Sequence, residues 1–166
     1  MRRFTLMLLS LCFMLAAGTL VAQEGQIGLG VSVGAAFPNG SSQNIAADNW
    51  DGSFNWGFYV NIPLLYTFHI SPSAELYKLA GENATDMSLA FKFIVPLDQI
   101  GLYVGFVPGL TTVGDVTAPH VGIAGGVTFN LVSNVDLFTG GQYKILFDGS
   151  ENVRVFHANA GLLFNL

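Results

Sequence analysis

The side chains able to move protons or hold metals are few in this chain, and they are scattered. Its three histidines, His69, His120 and His157, fall on separate segments. None stands at the close spacing from other ligand types that a metal site needs. A Ser–His–Asp set can be drawn from almost any chain of this length, and neither order nor spacing places one here. Cys12 is the single cysteine, inside an apolar N-terminal run. The sequence therefore predicts no enzyme, no cofactor and no metal site. The charges left to explain are Lys78, Lys92, Lys144 and Asp136, which need partners wherever the fold buries them.

Only one stretch of the 166 residues, Phe4 to Val21, is dense enough in apolar residues to suggest a helix in a membrane. Arg2 and Arg3 precede it, and Ala22 leads into the polar Gln23-Glu24-Gly25-Gln26. That order is the pattern of a secretory signal peptide, predicted over 1–22 with one domain over 23–166. The competing reading is a retained anchor helix. An acylated lipoprotein cysteine is rejected, because Leu11 precedes Cys12 and the apolar run continues past it. The mature chain would then have no thiol and no disulfide. Its four cations, Lys78, Lys92, Lys144 and Arg154, face eleven acids, a net charge of −7. A nucleic-acid partner would call for the opposite sign.

Past the leader, the pattern has a period of two. In Phe54–Ile70, FNWGFYVNIPLLYTFHI, every even position is apolar, while the odd positions are mostly polar or small. Alternation of this kind belongs to a strand with one greasy face, not to a helix. It recurs over Ile27–Phe37, Met87–Leu97, Ile100–Phe106, Val121–Leu131, Val135–Phe147 and Phe156–Leu166, with Ala74–Gly81 the weakest segment. Eight strands are expected. Longer polar gaps (Pro38–Ser53, Glu82–Asp86, Thr112–Pro119, Asp148–Asn152) alternate with tight turns at Ser71–Ser73, Asp98-Gln99 and Val132–Asn134. Long loops at one end and short turns at the other fit an antiparallel up-and-down barrel in a membrane.

The polar faces decide which side meets lipid. A Lys or Arg on the lipid face costs about 2–4 kcal/mol at the bilayer midplane. Lys92, Lys144 and Asp136 fall on the polar faces of their strands. Glu75 and Arg154 are exceptions near strand ends, and the register of Ala74–Gly81 is chosen to turn Lys78 inward. A soluble lipocalin-type barrel would need an abundantly polar exterior, whereas the face opposite the grease here is Gly, Ala, Ser and Asn. Pro63 and Pro108 lack a ladder donor, so a bulge or pairing gap is expected at each.

The chain ends NAGLLFNL. Asn159, Gly161, Phe164 and Leu166 match the spacing of the C-terminal assembly signal of bacterial outer-membrane barrels. Together with the leader and the strand count, the mature chain resembles the small eight-stranded barrels of the OmpX-like and OmpA-transmembrane-domain type. The resemblance implies residence in the bacterial outer membrane, periplasmic chaperones and the barrel-assembly machinery as partners in biogenesis, and contact with outer-membrane lipid and lipopolysaccharide. A monomer is expected.

An eight-stranded barrel has an interior about wide enough for side chains to fill. Inward glycines of the first, fifth and sixth strands would make room for Tyr59, Tyr103 and Phe138. Lys78, Lys92, Lys144, Asp136, His69 and His157 are the predicted lumen polar network, which plugs the barrel; a narrow path for ions or small solutes is the alternative. The acidic loop residues Asp48, Asp51, Glu82, Asp86, Asp115, Asp148 and Glu151 either solvate the turns or form a negative mouth for cations. The loop Pro38–Ser53, with Trp50, Asp48 and Asp51, is the first candidate for recognition. Aromatic girdles are expected at Phe37, Phe54, Trp56, Tyr143 and Phe147, and at Tyr66, Phe68, Phe129 and Phe164. The functional expectation is a non-catalytic structural or surface-interaction barrel, with the narrow channel as runner-up.

Overall fold

A computed structural model of the protein describes residues 26–47, 50–149 and 151–166. The expected leader over 1–22 and Asp48 lie outside the described residues. The strands are β1 (Gly28–Ser41), β2 (Ala46–Ala47), β3 (Ser53–Pro63), β4 (Phe68–Leu79), β5 (Glu82–Leu97), β6 (Ile100–Phe106), β7 (Gly109–Val113), β8 (Val116–Val132), β9 (Val135–Asp148) and β10 (Glu151–Asn165). β2 is a stub against the end of β1, and β6 and β7 are one stave interrupted at Val107-Pro108. Eight antiparallel staves remain, each beside its neighbour in sequence. Pairing of β1 with β10, from Gly28↔Asn165 to Asn39↔Arg154, closes the sheet. Closure removes the free edge, so no row of backbone donors and acceptors faces lipid.

The alternating residues settle on two faces. Leu29, Val31 and Val33 on β1, Phe54, Trp56 and Phe58 on β3, Phe93, Val95 and Leu97 on β5, and Ile100, Leu102, Val104 and Phe106 on β6 all point outward and are exposed. On β5 this belt runs from Met87 to Leu97, roughly 25 Å of height at about 3.3 Å per residue and a tilt near 40°. An exposed apolar surface encircling the whole molecule is tolerated only against hydrocarbon. The fold is a transmembrane β-barrel.

Three boundaries differ from the sequence expectation. The turn between β3 and β4 is at Leu64–Thr67, and Ser71–Ser73 lie within β4. The physical reason is parity. Here Trp56 pairs with Leu76 and Ile62 with Ile70, so even residues face even residues. Partners in an antiparallel pair point to the same side, and the alternation therefore runs through the turn without a break. The turn is also apolar, with Tyr66 77% exposed, and so carries no polar punctuation. Second, the gaps expected over Glu82–Asp86, Thr112–Pro119 and Asp148–Asn152 are mostly strand. Their tips are tight: Leu79 pairs directly with Glu82 across Ala80 (φ 55°) and Gly81 (φ 79°), a primed hairpin turn. Third, Pro108 does interrupt its stave, but Pro63 sits harmlessly at the end of β3. The pairing lapse in β3 falls at Val60 and Asn61, opposite Pro72, which has no N–H to offer.

The overlooked strand ends have their own logic. Towards the hairpin tips the apolar residues move to the inner face: Ala36, Tyr77, Leu79, Ala84, Val113, Ala118, Leu146, Val153 and Val155 form a buried cluster. Their outward neighbours, including Lys78, Asn83, Thr117, Asn152 and Arg154, are polar and exposed. The barrel therefore continues past its apolar belt as a short section that is dry inside and hydrophilic outside. The loop between β1 and β3 folds over this end and inserts Ile45, 2% exposed, into the cluster.

Candidate functional site

Beneath the apolar cap, inward residues of seven staves meet in one polar network. Its centre is Lys144 on β9, whose Nζ donates to Asp86 of β5 at 3.0 Å and to Glu75 of β4 at 3.2 Å. Lys144 and Asp86 are wholly buried. Charges so placed need hydrogen-bonding partners, and the network supplies them to both carboxylates, while Asn55 Oδ1, Tyr77 Oη, Gln142 Oε1 and His157 Nε2 are left without one. Asp86 accepts from Ser88 Oγ and, at 2.9 Å, from Thr111 Oγ1. Glu75 accepts from Asn159 Nδ2 at 2.9 Å and Gln142 Nε2 at 3.3 Å, and His157 Nδ1 lies 3.3 Å from its other oxygen. Asn55 links His157 to Asn159, and the Tyr77 ring stands edge-on to His157.

His120 completes the upper layer, with Nε2 3.1 Å from Ser88 Oγ and Nδ1 3.7 Å from Asp86. The fold thus does bring a serine, a histidine and an aspartate together. Their arrangement is unlike a catalytic triad, in which the histidine lies between the other two and takes the serine proton. Here Ser88 donates to Asp86 directly, Thr111 lies 3.1 Å from the other ring nitrogen, and the group is sealed under the apolar cap.

A third layer is aromatic. Tyr59 and Phe138 meet edge to face, and Lys92 Nζ lies 5.1 Å from the Tyr59 ring centre and 5.4 Å from that of Tyr103. Glycines make the space. A Cβ on Gly30 would sit 2.1 Å from the Tyr59 ring, one on Gly140 would sit 2.1 Å from the Tyr103 hydroxyl, and one on Gly161 would sit 2.5 Å from the Phe138 ring. Between this layer and Glu75 lies a cavity of about 40 Å³, lined by Ser32, Lys92, Gln142 and Asn159 among others. That is room for a few waters. Lower still, Asn61 Nδ2 lies 3.0 Å from His69 Nδ1, and Asp136 accepts from Asn130 and Asn165.

Of the predicted lumen network, Lys144 and His157 meet at the centre and Lys92 stands one layer below. His69 and Asp136 lie at the turn end, His69 with Asn61 and Asp136 with Asn130 and Asn165. Lys78 is a correction: it is exposed on the outer wall. The register of Ala74–Gly81 is chosen from the sequence to turn Lys78 inward, and it is one residue out, which also turns Glu75 outward. Glu75 is instead central, and Asp86 is no loop acid. His120, Asn55, Ser88 and Thr111 were missed, although carrying the even-outward parity of Phe54–Ile70 through the turn would have found Glu75. Asn159 and Gly161 face the lumen, whereas Phe164 and Leu166 face outward. Trp50, with φ 60° and an N–H donating to the Pro38 carbonyl, is 44% exposed in the first loop beside the exposed Asp51. Among the described residues no three His, Asp or Glu side chains are grouped to hold a metal ion.

No family model and no curated protein matches the chain. Solved structures do. Neisserial surface protein A aligns at 17% identity with a TM-score of 0.69, over 84% of this chain and 97% of that one. The N-terminal β-barrel domain of Pseudomonas aeruginosa OprF aligns at 14% identity with a TM-score of 0.55, over 86% and 100%. Outer membrane protein H (OprH) of P. aeruginosa aligns at 14% identity with a TM-score of 0.50, over 82% and 99%. This is the fold of the small outer-membrane barrels. At such identities the likeness carries architecture and leaves the role to be argued from this chain's own residues. In that barrel, the cap, the ionic layer and the aromatic layer occupy the path along the axis.

Proposed function

We propose that the chain is a non-catalytic barrel of the bacterial outer membrane with a closed lumen, whose work is structural or is done at its exposed end. The observation that carries this reading is the stacked filling of the lumen: Leu146, Val153, Val155 and Ile45 above, Lys144 with Glu75 and Asp86 below. A conducting pore needs a continuous wetted path, and a fully buried apolar layer breaks it. The proposal extends to lipopolysaccharide as the outer lipid partner, chaperones and the assembly machinery during biogenesis, and a monomeric state. Phe164 and Leu166 lie on the outer face near the closing seam, where an assembly factor could read them before β10 pairs with β1.

The alternative, a narrow path for ions or small solutes, is favoured by the cavity beside Lys92. Single-channel recording of the full chain in a planar bilayer separates the two. Silence is expected; steady openings that disappear when Ser73→Phe fills the cavity would replace the closed barrel with a channel. Cell fractionation tests the location, with recovery in the outer-membrane fraction expected.

A further inference from the structure

The outer wall carries two cations, and the register of the sheet sets them at one height. Of the four described lysines and arginines, Lys92 and Lys144 turn into the lumen, while Lys78 and Arg154 are exposed outside. Following cross-strand partners once around the barrel from Pro63, by way of His69, Lys92, Ala124 and His157, returns to β3 at Ser53, ten residues higher. A row of partners therefore climbs a little over one residue per stave, as a tilted closed sheet must. Trp56 pairs with Leu76, so Phe54 stands opposite Lys78, and the row runs back through Ala35 to Ala158 on β10. Over those three staves it descends by about four residues. Arg154 is four residues above Ala158 on β10, so the two cations stand level.

Each cation has an asparagine as its cross-strand partner: Lys78 pairs with Asn83, and Arg154 with Asn39. Such partners share a face with their Cβ atoms about 5 Å apart, so an amide donor lies beside each charge. Among the described residues neither cation makes an ion pair with a carboxylate. Arg154 is two residues above Phe156, and Asn83 is four above Met87, the highest outward apolar residues of β10 and β5. At about 3.3 Å per residue and a tilt near 40°, both pairs stand roughly 5–10 Å above the belt. That is the depth of a bilayer's headgroup layer.

We propose that the Lys78–Asn83 and Arg154–Asn39 pairs hold phosphate groups of outer-leaflet lipid, one lipid to each pair. Charge selects an anion, and height selects the headgroup as its source. The Arg154 fork can engage two phosphate oxygens at once, while Lys78 acts as a point charge. Below each pair the wall turns apolar where a lipid's acyl chains begin: Phe54 lies beside Lys78, and the stacked rings of Phe37 and Phe156 lie under Arg154. Three staves separate the pairs, too far around the wall for one phosphate to serve both. The inference rests on the proposed outer-membrane location only for the identity of the leaflet; the binding itself is a property of the purified barrel.

The test uses the refolded full chain in maltoside micelles, which carry no phosphate, titrated with diphosphoryl lipid A and followed by amide NMR. Saturable shifts are expected around 39 and 154 and around 78 and 83. Arg154→Gln should weaken binding about fivefold at the first pair and leave the second unchanged, and Lys78→Gln should do the reverse, as loss of one basic residue at a lipid surface does. Lys78→Arg should keep the second site. Both residues are exposed, so neither change threatens the fold. Shifts that survive in the double Gln variant at the same lipid concentration would overturn the proposal. So would the same shifts produced by inorganic phosphate at that concentration, which would make the pairs free-anion sites. Binding that holds in micelles while fractionation places the protein elsewhere would overturn the location and leave the two sites standing; outer-membrane recovery without lipid A binding would overturn the sites alone.

Discussion

Lys144 is fully buried between two carboxylates, and that fixes what its loss would do. Lys144→Ala leaves Glu75 and Asp86 in the lumen without their cation, and removing one partner of a buried ion pair costs about 3–5 kcal/mol. Urea unfolding from lipid vesicles should show that loss, and adding Glu75→Gln should recover part of it by removing one unpaired charge. If the double variant is no more stable than Lys144→Ala, the two groups are not energetically linked. Gly140 is sensitive for a steric reason. Its missing Cβ would lie 2.1 Å from the Tyr103 hydroxyl and 2.6 Å from the Gly125 carbonyl oxygen. Tyr103 can swing away but the backbone cannot, so Gly140→Ala should cost about 1–3 kcal/mol in the same assay. The sequence shows that inward glycines face large inward rings; which ring lies over which glycine depends on register between strands and cannot be read from either strand alone.

At the level of elements, the first loop is held by one residue of β9. Asp148 accepts from Ser42 Oγ at 2.7 Å and from Asn44 at 2.9 and 3.0 Å. It lies beyond the apolar belt, and the hydrogen bonds from Ser42 and then Asn44 hold its carboxyl below the usual carboxylate range. A depressed folded value means the closure is fully present above the ordinary carboxylate pKa, about 3.9, and is lost only as pH falls through the lowered value. The Asn44 amide resonance should therefore stay constant from neutral pH down past the ordinary range and move only below it. In Asp148→Asn it should not titrate with pH, and exchange at Ile45 should quicken. The β3–β4 hairpin shows why some element boundaries stay hidden. Its even-to-even pairing preserves phase and its turn is apolar, so neither periodicity nor composition marks it. The Asp98-Gln99 turn was legible because polar residues interrupt the grease there.

For the whole molecule, the decisive property is which face is wet. The two tryptophans report on it separately: Trp56 points outward in the belt, and Trp50 lies in the first loop. In vesicles of brominated lipid, fluorescence of Trp50→Phe, which retains Trp56, should be strongly quenched, while Trp56→Phe should be nearly unaffected. Equal quenching would mean that the loop lies in the bilayer. Period-two alternation by itself determined an all-β chain with one greasy face to each strand, because side-chain phase and local hydrophobicity are properties of each strand separately; the small, sparsely charged residues opposite turned that face outward, and the eight-stave barrel rested on strand count, loop pattern and resemblance. Only the tertiary structure decided that Glu75 and Asp86 flank Lys144, that Lys78 stands outside, and that the hairpin ends form a dry cap. Those facts depend on register across the sheet, where one residue of slip exchanges the two faces, and on loop closure between Ser42 and Asp148, residues far apart in the chain that meet only after the barrel has closed.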